Sequence, residues 1–180
     1  LKTISSSRQK YLDVLSRFNT SIKIITDKLP LNFRYIGFIL SAFPEAKIIH
    51  VKRDSMATCW SIYKHYFSSK GTGWAYSQED IAKYYGLYLE LMEFWHEKYP
   101  NQIYDLGYEE LTTNQEEETQ KLLEYCELEW DQDCLNFHTN ERAVHTASLM
   151  QVRKKMYQGS SEVWKQYSAH LEPLIKGLGF

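Results

Sequence analysis

Three short apolar runs, Ile22-Lys23-Ile24-Ile25, Ile48-Ile49-His50-Val51 and Ile103-Tyr104-Asp105-Leu106, are separated by longer stretches whose apolar residues recur at helical spacing. Runs this short and this rich in β-branched side chains suit strands buried on both faces. Strands of that kind alternating with helices predict an α/β fold, a parallel sheet flanked by helices. A chain of 180 residues is long enough for one domain with its own core and short for two, so a single domain over 1–180 is expected.

The helical stretches cover residues 5–18, with Tyr11, Leu12, Leu15 and Phe18 in register, and 32–43, with Phe33, Ile36 and Leu40. A third opens at Asp54 and carries Met56, Cys59, Trp60, Tyr63 and Phe67; a fourth runs from Ile81 to Trp95 and stops before Pro100. Residues 116–128 form another, with glutamates in the first turn where the helix dipole favours them. Residues 68–77, with Gly71 and Gly73, read as a mobile loop, and the remainder as helical and loop-like, without a strand.

Functional sites in open parallel sheets lie at the carboxyl ends of the strands. Lys28 follows the first run, Arg53 the second and Tyr108 the third, so three polar side chains are expected along one sheet edge. The run from Ile48 to Ser61 is the most informative. It reads as a strand that delivers Arg53 to a turn and then opens a helix carrying Ser61, and a guanidinium beside a helix N-terminus suits a phosphate.

Composition narrows the ligand. A formal net charge of −2 excludes a general nucleic-acid binder, which needs an excess of Lys and Arg over a whole face. An anion would instead use a local cluster, and Arg142, Arg153, Lys154 and Lys155 supply the one concentration of basic residues. Cys59, Cys126 and Cys134 have no C-x-x-C spacing and the six histidines no metal-binding pair, so no metal is expected. The same cysteine pattern points to a reducing, cytoplasmic compartment, and no apolar run is long enough to suggest a membrane partner.

Several ordered blocks resemble the sulfotransferase superfamily, in particular a bacterial branch linked to tetratricopeptide repeats and, more distantly, the tyrosylprotein sulfotransferases. They are Thr26-Asp27-Lys28-Leu29-Pro30-Leu31-Asn32-Phe33, the stretch from Phe43 through His50 and Arg53 to Ser61, Tyr108-Glu109-Glu110-Leu111, the segment from Arg142 to Ser148, Gln151-Val152-Arg153, and Trp164-Lys165-Gln166-Tyr167. The resemblance implies a P-loop-NTPase-like sulfotransferase fold with a helical C-terminal part. It implies transfer of a sulfuryl group from the donor PAPS (3′-phosphoadenosine 5′-phosphosulfate) to an acceptor hydroxyl or amine, leaving PAP.

It also implies roles. Arg53 and Ser61 match the pair that holds the 3′-phosphate, Lys28 the cation beside the transferring group, and Tyr108 the contact to adenine. Ser148, Arg153 and Lys154 fall in the late loop that folds over the nucleotide. His50, His65 and His145 are the imidazoles near these blocks, each read as structural, and no catalytic base is assigned. Ser55 stands where relatives usually carry Pro, and Ala57 where they usually carry Asp.

Relatives begin with a strand and a Gly-containing loop that wraps the 5′-phosphosulfate, and nothing in this chain matches it. The expectation is an N-terminally truncated sulfotransferase domain; the alternative is a noncatalytic nucleotide-binding or interaction module derived from one. Loss of that strand would leave apolar sheet edges exposed and favour a homodimer. A nucleotide kinase would need a Walker A loop, which is absent. The acceptor, whether carbohydrate, lipid, small phenol or peptide, is not legible.

Overall fold

The computed structural model describes residues 2–17, 24–68, 71–140 and 153–180. The chain divides into two compact units, one formed by residues 1–48 and 90–103, the other by 49–89 and 104–180.

In the first unit, α1 (Lys2–Leu15) is fastened to α2 (Ile36–Ala42) and the turn after it. Arg8 donates from Nη1 to the Ala42 carbonyl at 2.7 Å, pairs with both oxygens of Glu45, and lies 4.7 Å over the Phe43 ring. Ile36, Leu40 and Ala42 supply the buried face. The helix expected over 32–43 is two pieces: a 3-10 helix at Pro30–Tyr35, which the fixed φ of Pro30 initiates, and then α2. Trp95 anchors the junction, its indole N–H donating to the Phe33 carbonyl at 2.8 Å.

Ile22 and Lys23 of the expected first strand lie outside the described residues, and residues 24–29 do not form a strand. They have no regular structure, and Ile24 and Ile25 are 56% and 51% exposed. Strand propensity is realised only where a neighbouring strand accepts the backbone hydrogen bonds, and among the described residues none lies beside this run. The other two runs are strands as expected: β1 (Ile48–Lys52) and β2 (Ile103–Gly107) pair in a two-stranded parallel sheet. Ile49 and Val51 of β1 keep apolar surface exposed.

In the second unit, β1 leads into α3 (Ser55–Tyr63) and β2 leads directly into α5 (Tyr108–Thr113), followed by α6 (Gln115–Tyr125). The core joins Met56 and Cys59 of α3 to Ile81 and Ala82 of α4 (Gln78–Lys98) and to Leu171 and Leu174 at the start of α7 (Glu172–Gly177). Each fully buried side chain of this size contributes about 2 kcal/mol. α7 approaches α4 so closely that a Cβ on Gly177 would stand 2.6 Å from the Ala82 Cβ. The loop expected around Gly71 and Gly73 is tied down in its described part. Gly73–Tyr76 is a 3-10 helix, Trp74 stacks on Tyr84 at 4.1 Å, and the Tyr76 hydroxyl bonds both backbone groups of Phe67. Beyond α6, 3-10 helices at Gln132–Thr139 and Val163–His170 precede α7. Among the described residues no helix is long and apolar enough to cross a membrane, and the three cysteines are free thiols.

Candidate functional site

Because β1 and β2 are parallel neighbours, their carboxyl ends open at one edge, and the first residue beyond each is a site residue: Arg53 after Lys52, Tyr108 after Gly107. The Arg53 guanidinium lies 4.9 Å over the Tyr108 ring, a cation–π pair. Its Nη2 donates to the Ser160 carbonyl at 2.8 Å and the Ser160 hydroxyl at 3.2 Å, and its Nε to the Ser161 hydroxyl at 3.2 Å. The Tyr108 hydroxyl completes the set, 2.9 Å from Ser160 Oγ. Gly159, at φ 85°, takes the left-handed conformation that turns the backbone into this cluster.

These residues border a pocket of about 320 Å³. Its lining comprises Arg53, Tyr108 and Ser160, Ser61 and Lys64 of the α3 segment, and Tyr157, Gln158, Gly159 and Val163. Lys64 follows Ser61 by three residues, one helical turn, so both present to the same side. Among the described residues the Ser61 hydroxyl and the Lys64 ammonium have no hydrogen-bond or ion-pair partner of their own. Among the described residues two cations and no carboxylate line the pocket, a donor set that suits a phosphate dianion.

The N-terminus of α3 is capped by the Asp54 side chain. The Asp54 carboxylate accepts from the Ala57 N–H at 2.7 Å, and the Asp54 N–H is taken by Glu109 Oε1 at 3.2 Å. The helix start thus carries a side-chain N-cap, and the donors that α3 and its end give the pocket are side chains about two turns further along. Glu109 stands behind the pocket and also receives the Ser161 hydroxyl. Burial alone would raise its carboxyl, but the Ser161 and Asp54 hydrogen bonds and the charge of Arg53 outweigh that and hold it below the usual carboxylate range.

Arg53, Ser61 and Tyr108 are thus brought together. Lys28 is exposed in the irregular 24–29 segment of the first unit. Arg153 and Lys154 are exposed and do not line this pocket; the chain reaches it a few residues later, at Tyr157–Ser160. Ser148 lies outside the described residues, as do Arg142 and His145. His50 is built into the strand pair, its Nδ1 2.7 Å from Asp105 Oδ1 and its Nε2 2.6 Å from the Tyr88 hydroxyl. Lys64, Glu109, Ser160 and Ser161 are the residues that sequence reasoning missed. Lys64 had a signal, its one-turn spacing from Ser61, whereas the serines are uncharged and far away in sequence.

Residues 3–132 match the family model described as "Sulfotransferase family". The chain belongs to the sulfotransferase family. It is also 41% identical over 177 residues to an "Uncharacterized protein" of Aquifex aeolicus (strain VF5). That alignment takes in 97% of this chain and 23% of the relative, so the chain spans about a quarter of the length of the relative it matches. Within the sulfotransferase family model fall Lys28, Arg53, Ser61, Lys64, Tyr108 and Glu109, while the 157–161 turn lies beyond the matched range.

Proposed function

We propose that this sulfotransferase-family chain binds the 3′-phosphate of PAPS in the pocket at the end of β1 and β2, and that it serves sulfuryl transfer to an acceptor hydroxyl or amine. One observation carries the reading: Arg53 and Ser61, the pair the family resemblance assigns to that phosphate, line one pocket together with a further cation, Lys64. PAPS, when bound, supplies the activated sulfuryl group. A volume of about 320 Å³ is near the lower end for ligand pockets and suits a phosphorylated ribose rather than a whole nucleotide.

Arg53 is held by the Ser160–Ser161 turn and the Tyr108 ring, so its charge is fixed in place before any ligand arrives, which lowers the cost of ordering on binding. Ser61 and Lys64 add a directional donor and a second positive charge. The resemblance supports Lys28 as the cation that stabilises charge on the departing phosphate oxygen, a role that Lys28→Ala tests through a fall in turnover.

Isothermal titration with adenosine 3′,5′-bisphosphate and with ATP tests the binding reading. Tight binding of the bisphosphate, weak binding of ATP and loss of the former in Arg53→Ala are expected; a preference for ATP would abandon it. Transfer of labelled sulfate from PAPS then separates an enzyme from a binding module.

A further inference from the structure

Glu109 does not line this pocket, yet two segments that do are joined through it. Its Oε1 accepts from the Asp54 N–H, which ends β1 and starts α3, and from the Ser161 hydroxyl in the turn that holds Arg53. The bonding directions are forced. A carboxylate only accepts and a guanidinium only donates, so the single Ser161 proton goes to Glu109 and its oxygen receives Arg53 Nε–H at 3.2 Å. Nη2 is fixed on Ser160 at 2.8 Å, and among the described residues Nη1 has no hydrogen-bond partner. The guanidinium is therefore clamped along its Nε–Nη2 edge, with Nη1 left to serve a ligand.

We propose that Glu109 is a positioning residue that makes this pocket selective for nucleotides carrying a 3′-phosphate, by fixing Ser161 as an acceptor and so setting the rotation of the Arg53 guanidinium. The inference rests on the reading that the pocket holds that phosphate. Ser161 is 92% buried, its relative exposure being 8%, so without Glu109 its hydroxyl proton would have to find another acceptor. With no carboxylate to take it, that proton is free to rotate toward Arg53 Nε–H, where two hydrogens oppose each other and the Arg53–Ser161 bond is lost. The guanidinium then keeps its Nη2 bonds to Ser160 but can turn about them, so Nη1 is no longer aimed at one position.

The test is titration of the wild-type chain and of Glu109→Ala, Glu109→Gln and Ser161→Ala with adenosine 3′,5′-bisphosphate and adenosine 5′-monophosphate, which differ in the 3′-phosphate alone. Glu109→Ala and Ser161→Ala are expected to lose about tenfold or more in bisphosphate affinity with 5′-monophosphate affinity within about twofold, and the double variant to be no worse than either. Glu109→Gln, which keeps an acceptor oxygen, is expected to retain most of the preference. A bisphosphate-to-monophosphate ratio unchanged in Glu109→Ala, whatever happens to its melting temperature, would overturn the proposal.

A second readout needs no ligand. The Arg53 Nε–H resonance is expected to be protected from solvent exchange in the wild type and in Glu109→Gln, and unprotected in Ser161→Ala and Glu109→Ala. Protection that survives Glu109→Ala also overturns the proposal. If the wild-type chain does not distinguish the two nucleotides, the phosphate reading fails and the selectivity with it. The resonance then shows separately whether Glu109 sets the arginine.

Discussion

The guanidinium of Arg53 lies 4.9 Å over the ring of Tyr108, although the two residues belong to different strand ends. The ring and the hydroxyl of Tyr108 act separately: the ring faces the cation and the hydroxyl meets Ser160 at 2.9 Å. Tyr108→Phe removes one hydrogen bond and is expected to weaken bisphosphate binding by about fivefold or less. Tyr108→Leu removes the aromatic face as well and is expected to cost roughly tenfold or more. Titration of both variants decides it, and a Leu variant that binds like the wild type would show that the ring does not hold the arginine.

Asp54 caps α3 through its 2.7 Å bond to the Ala57 N–H. Asp54→Ala is expected to lower stability by about 1 kcal/mol and Asp54→Asn by much less, since asparagine is an equally good N-cap. Thermal unfolding of the two variants checks the order.

Gly177 packs against Ala82 with no room for a methyl group, a Cβ there falling 2.6 Å from that of Ala82. Gly177→Ala is expected to destabilise by about 1–3 kcal/mol, the range for forcing a methyl group against packed neighbours. Adding Ala82→Gly is expected to restore part of the loss, less the helix-propensity cost of about 1 kcal/mol for glycine in α4. Denaturant unfolding of the single and double variants measures the coupling.

Burial, and next the charge of Asp54, push the Cys59 thiol up to about 12 from 9.0. A raised acid favours its neutral form in the folded state. That contribution is intact below the unfolded value and is lost as the pH rises toward about 12, so alkaline unfolding should set in across this window. Cys59 is fully buried and is expected to resist a thiol reagent at pH 8 until the chain unfolds. Modification of Cys59 in the native protein at the rate of an exposed thiol would refute this.

In the first unit the Tyr11 hydroxyl donates to Asp27 Oδ2 at 2.7 Å, next to Lys28, while the Tyr11 ring meets Phe43 edge-on at 5.3 Å. Tyr11→Phe keeps the ring contact and removes the tether on a segment with no regular structure of its own. Limited trypsin digestion is expected to cut after Lys28 several-fold faster in that variant at an unchanged melting temperature. Equal cutting rates would mean that the segment is held by other contacts.

Much of the site was legible from local pattern. The β-branched runs at 48–51 and 103–106 became strands, and the residues that follow them, Arg53 and Tyr108, came together because parallel neighbours share a carboxyl edge. Ser61 was legible through the helical period from Asp54. The same kind of pattern misled at Ile24 and Ile25, whose side chains carry strand propensity while their backbone lies beside no strand among the described residues. The basic residues Arg153 and Lys154 drew attention by charge, but the pocket takes the neutral residues Tyr157–Ser160 from that stretch.

The sequence by itself determined the period of most elements and which polar side chains follow the two strands, since those depend on neighbours a few positions away. Only the tertiary structure decided what those side chains hold. Arg53 and Ser161 are 108 residues apart, and their bond, like the one that joins Ser161 to Glu109, exists because packing brings the two segments within reach and leaves each donor a single acceptor.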